Sequence, residues 1–173
     1  VRANVYGESR QEAGVREAGA DKPAAKALLE YLKGEAAKKL MRKKFSPSLF
    51  VVHFGIEGTW PGIPHHTILF GPRYKGLLED IYDHGVLPQD FSIYLHHSSV
   101  TDPSIAPPGK STFYALVPVA HMGKLPIDWA TVGPQLEKRI LDEVGRRLIP
   151  DIHDRIVTSF HYAPTDFAAD LNA

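Results

Sequence analysis

The apolar positions change period along the chain, and each change marks a predicted element. Leu29, Leu32, Ala36 and Leu40 recur at helical spacing and predict an amphipathic helix over residues 22–43. Asp21 stands where an N-cap belongs, with Pro23 in the first turn, where a missing N–H costs nothing. From residue 49 the period falls toward two. LFVVHFGI (49–56) is rich in aromatic and β-branched residues, and HTILFG (66–71) is bounded by Pro64 and Gly71-Pro72, so both predict strands. FSIYLHH (91–97) alternates, placing Phe91, Ile93 and Leu95 on one face and Ser92, Tyr94 and His96 on the other. TFYALVPV (112–119) groups Phe113, Ala115, Val117 and Val119, and Pro118 on its other face predicts an edge position or a strand end.

Helical spacing returns between and after these strands. Leu77, Leu78, Ile81 and Tyr82 predict a short helix over 74–84 that Gly85 ends in a left-handed conformation. Pro134 reads as the first turn of a second long helix, with Leu136, Ile140, Leu141, Val144 and Leu148 as its buried stripe. Pro150 stops that helix. A fifth strand is predicted over 155–162, and a short helix over 165–171, led in by Pro164. Residues 1–20 read as loop or frayed terminus. The sum is an α+β domain: a mainly antiparallel sheet of about five strands with helices packed on it.

Composition narrows the function classes. A chain of 173 residues suits a single domain, and its 43% hydrophobic content can fill a core. Twenty basic residues balance twenty acidic ones, which argues against a nucleic-acid partner. Without cysteine there is no disulfide, thiolate metal site or cysteine nucleophile. No apolar run reaches the roughly 20 residues of a membrane span, and the start carries no signal-peptide pattern. The opening residue is Val, so an excised piece of a longer protein is expected.

None of the 14 glycines has another two positions on, so no G-x-G-x-x-G exists, and the P-loop pattern is missing as well. The nine histidines include the doublets His65-His66 and His96-His97. Neighbours on a strand point to opposite faces, so neither doublet is expected to offer both rings to one metal. A set from His53, His66 and His96 on neighbouring strands is conceivable, but satisfied or surface histidines are the expected fate, and no metal site is assigned. Ser98, Ser99 and Asp102 follow the second doublet without a nucleophile elbow. Arg73 and Lys75 stand where a strand gives way to a helix, a common place for functional side chains and equally for plain helix solvation. Pro103, Pro107, Pro108 and Gly109 stiffen the loop between two strands. Lys38, Lys39, Arg42, Lys43 and Lys44 crowd a helix end, read either as macrodipole complementation or as contact with an anionic membrane surface.

SLFVVHFGI, PHHTILFGPRYKGLLEDI, FSIYLHHSSVTDPSIAPPGKSTFYALVPVAHMG and IDWATVGPQLEKRIL closely resemble, in this order, the later half of bacterial-type phytoene desaturases. RIVTSFHYAPTDFAADLNA resembles the stretch just after. The resemblance runs from about Lys43 to the last residue, and residues 1–40 match less clearly. It implies a two-domain flavoprotein with FAD in a Rossmann-type domain, of which this chain is the substrate domain alone (1–173), the Rossmann domain being absent. It further implies dehydrogenation of a C40 carotenoid precursor, desaturation rather than isomerisation being left open, in a protein peripheral to the cytoplasmic side of a bacterial membrane. The isolated chain is then expected to bind no FAD and to be inactive. By position, Arg73 and His96 are the expected polar residues at the reactive centre, with Tyr94, Phe113 and Tyr114 against the substrate. Two rival readings remain: a stand-alone binding module for an apolar isoprenoid, and a histidine-dependent metallohydrolase.

Overall fold

A computed structural model describes residues 22–41 and 45–171. The chain divides into two compact units, residues 1–46 and 47–173. In the first unit the single predicted helix is two: α1 (Pro23–Lys33) and α2 (Glu35–Met41), broken at Gly34, whose extended backbone (φ −76°, ψ 168°) ends α1. Glycine is the residue that leaves a helix most cheaply. The predicted N-cap Asp21 lies outside the described residues; the cap position is Lys22, which makes no side-chain cap bond. No α1 residue is buried, and Leu28, Tyr31 and Leu32 are each about half exposed.

The second unit holds a five-stranded sheet of β1 (Ser48–Glu57), β2 (His66–Leu69), β3 (Ile93–His96), β4 (Lys110–Val119) and β5 (Ile156–Tyr162). Their order is β2-β3-β4-β1-β5, and every pairing is antiparallel. Helix α3 (Tyr74–Glu79) follows β2 and continues as a π-helical turn, Asp80–His84, closed by Gly85 at φ 64° as its position predicts. Helix α4 (Trp129–Arg147) follows β4, the one-turn α5 (Ile152–Arg155) leads into β5, and α6 (Pro164–Leu171) follows it.

One face of the sheet carries the core. Phe50, Val52, Phe54 and Ile56 of β1 join Ile93 and Leu95 of β3 and Phe113, Ala115, Val117 and Val119 of β4, all buried, with Leu136, Ile140, Leu141 and Val144 of α4 in the same cluster. The alternation and the α4 stripe therefore read correctly, apart from Leu148, which is half-buried at the helix end. Pro134 does not open α4 but lies inside it. The true start is set by Asp128, whose carboxylate accepts from the Ala130 N–H at 3.1 Å and from the Thr131 hydroxyl at 2.6 Å. That capping is enough to nucleate a turn ahead of the proline. Strand β4 is interior, so of the two positions expected for Pro118 it takes the strand end, two residues beyond the last β3 rung at Leu116.

Candidate functional site

The other face of the sheet is open and aromatic. The registers pair His66 with His96, His96 with Tyr114, Tyr114 with His53 and His53 with Phe160. One ring from each strand thus forms a single row across all five. Centroid separations along it are 5.2, 4.5, 5.6 and 4.9 Å, with His96 lying flat on Tyr114 (11°) and His53 flat on Phe160 (13°). At the usual strand spacing the row extends for about 19 Å. Tyr94 stands beside it, 5.9 Å from both His66 and Tyr114. Next to its Phe160 end is a recess of about 290 Å³ lined by His53, Thr112, Thr158, Ile105 and Pro107 among others.

Electrostatics follow from this packing. Burial lowers the His96 pKa, and the neighbouring His65, His66 and His97 push it the same way, because a second positive charge there is repelled. Burial also lowers His53. The Tyr114 hydroxyl is raised, first by burial and then by the Tyr94 hydroxyl. The row is therefore a polarisable surface in which burial disfavours charge at His96 and His53.

Of the residues expected at the site, the structure brings together His96, Tyr94 and Tyr114. Phe113 lies on the opposite face, 2% exposed, stacked on Phe54 at 5.3 Å and on His97 at 4.0 Å. Its odd-numbered position in β4 puts it in the core, so the pair Phe113-Tyr114 cannot act on one ligand. Arg73 is also apart from His96. His66↔His96 and Leu69↔Ile93 are opposite ends of one ladder, and Arg73 lies four residues past Leu69. The Arg73 guanidinium is committed to Asp90 through Nε (3.0 Å) and Nη2, and to Asp80 through Nη2 (3.1 Å). Hydrogen bonds to Asp90 and then Asp80 raise its pKa, whereas Asp90, pushed up by burial, is held below the usual range by Arg73.

Sequence reasoning grouped His53 and His66 with His96 only as a conceivable metal set on neighbouring strands, and it missed Phe160 and the row itself. Their signal is cross-strand register, which alternation within one strand does not carry. It also misjudged one doublet. His97 does turn away from His96 into the core, where it is 1% exposed. His65, however, precedes β2, so strand alternation does not govern it. Its ring sits 4.4 Å from both His66 and His96.

No protein-family model matches the chain. It is 50% identical over 137 residues to a phytoene desaturase (lycopene-forming) of Paracoccus sp. strain N81106, covering 79% of this chain and 27% of that protein. The corresponding lycopene-forming enzyme of Pseudescherichia vulneris is 47% identical over 137 residues, covering 79% and 28%. A neurosporene-forming phytoene desaturase of Cereibacter sphaeroides is 45% identical over 129 residues, covering 72% and 25%. Each of these relatives is named as a phytoene desaturase. By sequence this chain matches a fragment of a bacterial phytoene desaturase. The chain spans about a quarter of the length of the curated relatives it matches. Among the described residues no helix is long and apolar enough to cross a membrane.

Proposed function

We propose that the sheet unit is the substrate-facing domain of a FAD-dependent desaturase, with its open aromatic row forming one wall of the channel for a C40 carotenoid precursor. The observation that carries this is the in-register row His66–His96–Tyr114–His53–Phe160. A polyene is apolar, flat and polarisable, so a row of stacked rings attracts it along its length without demanding a hydrogen bond. The relatives named as phytoene desaturases supply the substrate class.

The described residues do not fit a dinucleotide pyrophosphate. That group is held by a parallel βαβ turn, whereas every strand pair here is antiparallel and the chain lacks G-x-G-x-x-G. No residue of this chain is therefore assigned to FAD, and the chain by itself is inactive on this reading. What it supplies is position: it lays the chain of the substrate along the row and keeps water from that side. His96 is a polar side chain of the wall, between His66 and the central Tyr114. Arg73 contributes by tying the β2–α3 turn to Asp90 and Asp80 rather than by reaching the substrate.

Membrane association belongs to the same reading, because a C40 precursor dissolves in lipid. The half-exposed Leu28, Tyr31 and Leu32 of α1 stand among Lys26, Lys33, Lys38 and Lys39, a combination suited to an anionic bilayer surface. Arg42, Lys43 and Lys44 of the same basic cluster lie outside the described residues.

The test is Tyr114→Ala and Phe160→Ala in the full-length desaturase, assayed on phytoene in liposomes. Each is expected to lower kcat/KM by about tenfold, the scale of one lost aromatic contact, with thermal stability little changed. Full turnover by both folded variants would remove the row from the substrate channel.

A further inference from the structure

Three imidazoles converge where β2 begins and β3 ends. One ring nitrogen from each of His65, His66 and His96 lies within 4.8 Å of the others. His65 Nε2 and His96 Nε2 are 2.8 Å apart. The remaining nitrogens of two of the rings are already engaged: His65 Nδ1 is 2.5 Å from the Thr101 hydroxyl, and His66 Nδ1 is 2.6 Å from the Tyr94 hydroxyl. Partners at Nδ1 leave Nε2 as the free atom of His65 and His66, and His96 already turns its Nε2 toward His65. This is how metal-ligating histidines are commonly oriented, by an outer hydrogen bond that fixes the ring and its tautomer.

Each ring is held by a different part of the fold. His66 and His96 are opposed in the β2–β3 ladder. His65 is anchored beside them by the main-chain bond from the His97 N–H to its carbonyl, 2.8 Å. Thr101 is presented by the stiff loop between β3 and β4, where the Thr112 N–H donates to Ser99 Oγ (3.0 Å) and the Ser104 N–H to Asp102 Oδ1 (3.0 Å). The rings are half-buried or exposed, so an ion has a path in.

We propose that His65, His66 and His96 form a three-histidine site for a borderline divalent metal of the Zn²⁺ class, with Thr101 and Tyr94 as positioning residues. Zinc bound by three imidazoles takes Nε2 atoms at about 2.0–2.1 Å in a tetrahedron whose ligand–ligand edges are about 3.3 Å. The present separations bracket that edge, from 2.8 Å to no more than 4.8 Å, so turning the side chains closes the site. Neutral imidazoles without a carboxylate or thiolate favour Zn²⁺, Co²⁺, Ni²⁺ and Cu²⁺ over Mg²⁺ or Ca²⁺. Three protein ligands leave the fourth position to water or a ligand atom from elsewhere. The site rests on the rings' geometry and shares His66 and His96 with the aromatic row, so its test reads metal binding and not turnover.

The test uses the folded full-length protein at pH 7.5, stripped with chelator and titrated with Zn²⁺ and, separately, with Co²⁺. One equivalent of Co²⁺ is expected to give the visible absorption of a tetrahedral or five-coordinate nitrogen site, displaced by Zn²⁺. His66→Gln and His65→Gln are expected to weaken binding beyond about 100-fold, and Thr101→Val by about 10-fold or more, the range of outer-shell losses. His153→Gln, at a surface histidine paired with Asp142, is expected to leave binding unchanged. His66 is exposed, so its variant is expected to keep the metal-free melting temperature. Absence of the cobalt spectrum from folded protein overturns the site, as does equal Zn²⁺ uptake by His66→Gln and the parent.

Discussion

His96 and His97 are consecutive, yet each stacks on a different member of another consecutive pair: His96 on Tyr114 at 4.5 Å on the open face, His97 on Phe113 at 4.0 Å in the core. The pleat separates two functions that the sequence writes side by side. His97 Nδ1 also donates to the Ile63 carbonyl at 3.0 Å. His97→Ala therefore empties a core position and strands a buried carbonyl, and should cost about 2–4 kcal/mol. His96→Ala should cost less than about 1 kcal/mol, as a change on a half-open face. Urea unfolding of both variants checks this; equal losses would mean that the two rings are not on opposite faces.

On the helix side, His161 of β5 lies between α4 and Phe50. Its Nδ1 is 2.6 Å from Glu137 Oε2, and its ring stacks on Phe50 at 5.0 Å. Gly133 makes this possible, because a Cβ there would fall 2.5 Å from His161 Nε2. Although alanine is the better helix former, Gly133→Ala is expected to destabilise by about 1–3 kcal/mol through overpacking. Differential scanning calorimetry reads the result, and a raised melting temperature would show that His161 moves aside freely.

Gly85 closes the π-helical turn at φ 64°, and a Cβ there would meet the Lys124 carbonyl oxygen at 2.8 Å. Both strain and contact oppose a side chain. Gly85→Ala should lower stability by about 1–3 kcal/mol. Gly109 has a similar φ of 75° but open space around it, so Gly109→Ala should show the conformational penalty alone, about 1 kcal/mol. Comparable melting temperatures for the two variants would refute the steric part.

Burial lowers the His53 pKa below its usual 6.5. Above that value both the folded and unfolded chains hold a neutral imidazole. As pH falls below it, the unfolded chain takes up a proton that the native state refuses, so stability drops until the lowered native pKa is reached. The urea midpoint should be lower at pH 5.5 than at pH 7.5, and His53→Gln should narrow the difference. An unchanged pH difference in the variant would place the loss elsewhere.

The lysine-rich end of the first unit provides a test of membrane docking. Full-length protein is expected to bind anionic liposomes, and replacement of Lys38, Lys39, Lys43 and Lys44 by Gln should weaken binding, at about 1 kcal/mol per charge near the surface. Co-sedimentation at rising salt reads it. Binding indifferent to charge and salt would reduce the cluster to a solvated helix end.

The sequence by itself determined the elements and their buried faces. Period-two alternation in 91–97 and 112–119 put Ile93, Leu95, Phe113 and Ala115 inward, because a pleated strand has only two faces and the apolar set must take the dry one. Gly85 and the α4 stripe were legible for the same local reason. Helix starts were less so: Pro134 fits a first turn, but Asp128 caps one turn earlier and a proline within the helix is tolerated. The resemblance was legible in long motifs, and the identity to bacterial phytoene desaturases over about 80% of the chain bears it out. What only the tertiary structure decided was which strands are neighbours and in which register. That pairing aligns His66, His96, Tyr114, His53 and Phe160 into a row, moves Phe113 away from Tyr114, separates Arg73 from His96, and brings His65 to its two partner histidines. Row neighbours 18 to 107 positions apart meet through hydrogen-bond registers between strands, and no local spacing along the chain encodes those.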